Sequence, residues 1–348
     1  MPPPAVAAPA RRNWPQIIIA GGVILFFCSQ AEIVLVVLLL SLLLAFILAP
    51  VADYLERLKL PRSVASAIAV LILLAAAAGS TYLSYNQAAA FIHDLPKYSA
   101  KVRDQVSRWQ ASAARFDGEA RPDSPAAPRN VLGVNPSSWV DLISRGVGSV
   151  YQVLIAASFI PFLVYFMLSW HRHARSATVM LFRMEHRHAA YVTMGLIGKM
   201  MRSFMVGNLL VGLFMSIAST IAFAVLQLPF FYFVGPLSGF LSLVPYLGLV
   251  LALLPPVLVG MGQMDSGGII FLVVTVLALH LISLNVLYPK MLGNRVQLNP
   301  LTVSISLLFW GWLWGAMGLV LAIPLTAAMK IVFDHIDVLR PYGAWLGE

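Results

Sequence analysis

Between Phe204 and Pro289 the chain carries one formal charge, Asp265. A water-soluble domain has charged residues at about a quarter of its positions, so a stretch this long with one cannot cover itself against water. Lipid is the solvent that removes the need. A helix crosses the bilayer core with about 20 apolar residues, which makes this stretch long enough for three or four passes. The rest of the chain agrees: 60% of residues are hydrophobic and 11% charged. The net charge of +9 lies between apolar runs rather than in one basic patch interleaved with aromatics, which points to membrane topology and away from nucleic acid. The lone Cys28 sits in an apolar run and reads as a small buried hydrophobe.

The sequence divides on this basis into an all-α membrane protein of about eight crossings, some broken or re-entrant. Residues 1–13 are a Pro/Ala-rich tail with Arg11 and Arg12, expected to be disordered. Residues 14–85 hold three spans. The uncharged run on either side of Glu32 is too long for one crossing and is expected to turn back around Ser29–Glu32; Val64–Tyr82 follows after a charged joint containing Asp53, Glu56 and Arg62. Residues 86–147 form the one sizeable water-facing region. Phe91, Leu95, Tyr98, Val102, Val106 and Trp109 recur there at helical spacing. Residues 148–170 are a fourth span with Pro161 inside it, and 171–199 a basic segment holding four of the seven histidines. His171/His173 and His186/His188 are two apart, a spacing that does not converge on one helix face, so no metal site is expected. The positive-inside rule makes this segment cytoplasmic. Residues 200–333 carry four further spans near 203–227, 230–262, 267–288 and 301–329, and 334–348 form a cytoplasmic tail. Eight crossings put both ends inside but leave Lys290 and Arg295 outside, against the charge rule. The run 230–262 reads equally as one broken span or a re-entrant hairpin.

No enzyme constellation or phosphate loop is present, and no cofactor is implied. The late spans are instead interrupted at Gly235-Pro236, Pro245-Tyr246-Leu247-Gly248, Pro255-Pro256, Pro289, and Gly311 through Gly318 to Pro324. Proline removes an N–H and frees a carbonyl one turn earlier. In lipid such groups must be satisfied by protein or by cavity water, and broken helices therefore mark solute paths as well as kinked packing helices. The candidate pathway residues are Pro245, Tyr246, Gly248, Pro289 and Pro324 at the breaks, with Asn208, His280 and Asn285 as polar groups inside spans. His280 is the one deep in an apolar run; a hydrogen bond to a neighbouring helix carbonyl is the alternative reading. A short internal similarity links Phe233–Gly248 with Trp310–Thr326, both Gly-rich at the start and ending near a proline.

These late motifs resemble the autoinducer-2 exporter family of bacterial membrane proteins. The resembling elements are Leu60-Pro61-Arg62, Val244-Pro245-Tyr246-Leu247-Gly248, Asn285-Val286-Leu287-Tyr288-Pro289, Leu298-Asn299-Pro300-Leu301, and Gly318 through Ile323-Pro324-Leu325 to Lys330. Two departures stand beside them: Arg202 is followed by Ser203-Phe204-Met205 where the family often has a Gln, and Leu281-Ile282-Ser283-Leu284 replaces more polar residues. The resemblance implies a homo-oligomeric exporter or permease of a small polar solute in the bacterial inner membrane, with Na+ or H+ as coupling ion. A Na+/H+ antiporter is the alternative within the family, and a non-transporting scaffold or partner-binding subunit the alternative outside it.

Overall fold

The computed structural model describes residues 14–82, 85, 150–245, 247–261, 263–291 and 298–347. The tail 1–13, the region 86–147, Tyr246, Asn294 and Arg295 lie outside them. The described residues are helical, joined by short turns. In order they are α1 (Trp14–Gln30), α2 (Glu32–Arg57), α3 (Arg62–Tyr82), α4 (Val150–Ser169), α5 (His171–Met180), α6 (Met184–Val225), α7 (Phe231–Leu241), α8 (Gly248–Gly260), α9 (Ser266–Ile282), a π-turn (Ser283–Leu287), α10 (Tyr288–Met291), α11 (Pro300–Asp334) and α12 (Arg340–Leu346). By length and apolar content α2, α3, α6 and the continuous run Ser266–Met291 could each cross a membrane, whereas the equally apolar 35 residues of α11 fold back on themselves. The 20 residues of α4 reach about 30 Å, the thickness of the hydrocarbon core.

The segment 230–262 is a hairpin. Helices α7 and α8 have 11 and 13 residues, about 16 and 20 Å, and neither reaches across. Ser238 Oγ donates to the Ala252 carbonyl at 2.7 Å, which ties the two arms side by side. That carbonyl is the one that Pro256 leaves without its helical N–H, so the serine supplies the missing donor. At the tip Gly248 lies against the Ser242 carbonyl, and at the open end Gly260 faces Leu228. The hairpin is seated on α6 through small residues. A Cβ on Gly235 would fall 2.5 Å from the Thr220 Cα, and one on Gly239 would fall 2.5 Å from the Ser216 Cα. This is backbone-to-backbone packing of the kind small-xxx-small motifs permit in membranes.

Helix α11 is a second hairpin. Trp314 (φ −133°, ψ 23°) and Gly315 (φ 55°, ψ −136°) leave helical geometry, and the positive φ is one that glycine adopts without penalty. Residues 300–313 and 316–334 then run back along each other. Gly318 abuts the Trp310 carbonyl, and Trp310 Nε1 donates to Thr326 Oγ1 at 3.1 Å. In a continuous helix those two residues would stand about 24 Å apart. The two segments whose sequences resemble each other, Phe233–Gly248 and Trp310–Thr326, therefore each contain a hairpin turn.

Besides the run 301–329, which reverses at Gly315 and is not one crossing, two expectations are corrected. The chain does not turn back at Ser29–Glu32: Ala31 N donates to Phe27 O and Leu35 N to Ala31 O, so α1 runs into α2 through a kink at Ala31 (φ −91°, ψ 18°). No glycine or proline stands there to stop a helix. The second concerns Lys290. Phe223 of α6 shares a cluster with Leu272 and Val276 of α9. At the other end Met200, Met201, Phe204 and Met205 meet Leu287, Tyr288 and Met291. Helix α6 and the α9–α10 run are thus antiparallel, and Lys290 falls at the end where Arg202 pairs with Asp53. A hairpin returns the chain to the side it left, so the expected separation of Lys290 from the 53–62 joint disappears.

Candidate functional site

Three features converge on α6. Beside the turn of the first hairpin, Leu243 packs into the cluster formed by Met205, Val211 and Met215 of α6. At the turn of the second hairpin, Leu313 and Trp314 belong to the same cluster. Leu287, at the end of the π-turn, belongs to the same cluster, and Leu279, before the π-turn, packs against it. Each hairpin turn ends one helix and starts another, which leaves terminal carbonyls and amides without intrahelical partners and places opposite partial charges a few ångströms apart. Trp314 extends the arrangement outward: its Nε1 donates to the Cys28 carbonyl at 3.1 Å, beside the kink at Ala31.

The sequence-derived candidates distribute as follows. Pro245 is half-buried in the first hairpin turn, and Gly248 is buried at the start of α8. Pro324 is fully buried in the second arm of α11. Asn208 is half-buried on α6. It lies one turn before Gly212, whose would-be Cβ meets Leu243 and Phe240, in the i, i+4 row that continues to Ser216 and Thr220. This row carries the first hairpin and sets Asn208 at the level of its turn. Asn285 lies in the π-turn, exposed, with Nδ2 donating to the Leu281 carbonyl at 2.8 Å. Pro289 is exposed just beyond it. π-Turns inside α-helices are frequent at functional sites. His280 is half-buried, and its Nδ1 has no hydrogen-bond partner among the described residues. Among the described residues no three His, Cys, Asp or Glu side chains gather as a metal site would require.

A second constellation was not singled out by sequence reasoning. Arg62 Nη1 donates to Asp53 Oδ1 at 2.6 Å and to Glu56 Oε2 at 2.8 Å, and its Nε donates to the Leu168 carbonyl at 3.1 Å. Arg172 holds the other Glu56 oxygen at 2.8 Å, and Arg202 holds the other Asp53 oxygen at 2.7 Å. One acid pair thus ties α2 to α3, α5 and α6, and through Arg62 to the end of α4. His171 Nδ1 shares the Leu168 carbonyl at 3.1 Å. Burial lowers its pKa below the ordinary histidine value, and the neighbouring Arg62 and Arg172 add to this against the carbonyl hydrogen bond. The available signals were the Leu60-Pro61-Arg62 motif and two acids three residues apart, on one helix face, in a short charged joint between two uncharged runs. The Leu298-Asn299-Pro300 motif also gains a role. Asn299 Oδ1 accepts from Thr302 N at 2.7 Å as the N-cap of α11, while Nδ2 donates to the Trp345 and Gly347 carbonyls at 2.8 and 3.0 Å.

Comparison with known proteins gives the chain's family. A Haemophilus influenzae protein, provisionally named a transport protein, is 29% identical over 345 residues, covering 95% of this chain and 94% of its own. YhhT of Escherichia coli K12, also provisionally named for transport, is 26% identical over 89% of this chain and 86% of its own. The AI-2 transport protein TqsA of Escherichia coli K12 is 25% identical over 92% of this chain and 91% of its own. The model of the AI-2E family transporters matches residues 16–337. The chain is a multi-pass membrane protein and belongs to the AI-2E transporter family.

Proposed function

We propose that this protein is a secondary exporter or permease for a small polar solute, AI-2 or a molecule like it, in the bacterial inner membrane. The observation that carries the reading is the pair of membrane hairpins whose turn residues Leu243, Leu313 and Trp314 share one apolar cluster with α6 and with Leu287 at the end of the π-turn. Interrupted helices near the middle of a membrane present partial charges to a polar solute, and backbone of this kind is tolerated where it lines a path. Asn208, Pro245, Gly248, His280, Asn285, Pro289 and Pro324 are assigned to that path, together with Tyr246. The protein is proposed to act as a homo-oligomer coupled to Na+ or H+. The basic 171–199 segment, the 53–62 joint and Lys290 are assigned to the cytoplasmic side, which the charge rule favours for each of the three.

Export is favoured over Na+/H+ exchange because, among the described residues, Asp53, Glu56, Asp265 and Asp334 stand near helix ends, and Glu32, at the kink one turn from Cys28, is a single exposed carboxylate. The test is flux in proteoliposomes against a panel of small solutes including AI-2, with and without Na+ or H+ gradients. Pro245→Ala and Asn285→Ala are expected to insert normally and to lower solute flux severalfold. Parent-level flux in both variants would sink the assigned path. A scaffold role predicts instead that no solute in the panel moves above background.

A further inference from the structure

Two arginines hold the carboxylate of Asp53, and they hold it differently. Arg62 has a side chain 15% exposed and makes three contacts, all within the layer of α2, α3 and α4. That layer has its own core, in which Ala45, Leu48 and Ala52 of α2 meet Ala69 and Val70 of α3 and Val164 and Leu168 of α4. Arg202 comes from α6, the helix on which the first hairpin is seated. Its side chain is 43% exposed and makes one charged contact, to Asp53 Oδ2. Among the described residues this is the ion pair that joins α6 to α2.

The surface around the pair suits movement. Met200, Met201, Phe204 and Met205 are the buried α6 residues next to Arg202 and share a cluster with Leu43 of α2, and a Cβ on Gly198 would only just meet the Phe46 ring of α2, at 3.9 Å. Methionine is unbranched and repacks against changing neighbours more readily than branched side chains. A half-exposed ion pair is weak, and breaking one usually strands a charge at a high cost only when no other partner remains. Here Arg62 remains.

We propose that Arg202–Asp53 is a releasable latch of the transport cycle: when it opens, α6 and the hairpin seated on it shift against the α2–α4 layer across this methionine-rich surface, while Arg62 keeps both carboxylates compensated. The latch rests on the transporter reading above, and its test separates the two.

In the full chain with Cys28→Ser, Met205→Cys supplies a reporter thiol at a position 8% exposed in the latched structure. Proteoliposomes are treated with a membrane-impermeant maleimide. Arg202→Gln is expected to raise the labelling rate at least fivefold, and Arg202→Lys to stay within twofold of the parent. Separately, Asp53→Cys/Arg202→Cys, bridged by a reducible bifunctional thiol reagent, is expected to lose AI-2 efflux and to regain it on reduction. Parent-level labelling in Arg202→Gln, or full efflux from the bridged protein, overturns the latch. Raised labelling in a protein that moves no AI-2 or other panel solute supports a latched, mobile interface and sinks the transporter reading instead.

Discussion

Replacing Gly239 with alanine tests how the first hairpin is held. The new Cβ would stand 2.5 Å from the Ser216 Cα and 2.7 Å from the Met215 carbonyl carbon. Both neighbours are backbone, so no side chain can swing away. Ordinary contact begins near 3.4 Å, and α7 would have to retreat from α6 by roughly 1 Å in an interior packed with few voids. Overpacking of this kind costs about 1–3 kcal/mol. The retreat also lengthens the Ser216 Oγ to Pro236 carbonyl hydrogen bond, already 3.3 Å, for roughly 1 kcal/mol more. Alanine returns about 1 kcal/mol of helix propensity. The expected net loss is about 1–3 kcal/mol, read as a lower midpoint in thermal unfolding of the detergent-purified protein. Gly22→Ala is the control, since a Cβ there meets nothing within 4 Å, and no loss is expected. Equal midpoints for the two variants, with full flux in Gly239→Ala, would show that the hairpin is not seated backbone-to-backbone on α6.

Three further outcomes are expected. A topology reporter inserted after Arg295 should give a cytoplasmic signal and one after Gln263 an external signal, whereas a full crossing by 230–262 would give opposite sides at the two ends of that segment. Asn299→Ala removes the N-cap of α11 and both side-chain bonds to the end of α12, at about 1–3 kcal/mol; limited proteolysis should then cut near Trp345 faster than in the parent. His171 has a lowered pKa, so the unfolded chain binds its proton more readily than the folded one. Its contribution to stability is complete above the ordinary histidine pKa of about 6.5 and declines as pH falls through and below that value. His171→Gln should therefore make the acid limb of the stability profile shallower, and an unchanged limb would refute the assignment.

The membrane character, the breaks and the family were legible because each is local. Apolar runs, prolines and the Leu-Asn-Pro and Leu-Pro-Arg motifs can be read a few residues at a time. The direction of 230–262 could not be read that way. Hydropathy gives length and not heading, and the segment is long enough to cross. What decides its course is the fit of Gly235 and Gly239 to Thr220 and Ser216, and of Ser238 to the Ala252 carbonyl, all contacts at a distance along the chain. The last span misled for a similar reason: its reversal depends on the φ of Gly315, one of several glycines in that run. The acid pair was visible as charges, but its partners are not sequence neighbours; Arg202 is 149 positions from Asp53. At Ala31 the opposite happened. Length argued for a reversal, while the residues there carry no helix-breaking chemistry and the helix continues with a kink.

The two hairpins bear on how the chain is inserted as well as on what it carries. A segment that enters and leaves by the same face needs no instruction about orientation, because either neighbour already supplies it. From Ser203 to Pro289 there is no lysine or arginine, and the next basic residues on either side are Arg202 and Lys290. Those two flank the block made of the second half of α6, the first hairpin and α9 at one end of the molecule, as a pair of retained anchors would. The insertion machinery can therefore treat this block as one outgoing and one returning helix with a loop between them. The first hairpin is free to change its length or polar content without inverting anything downstream.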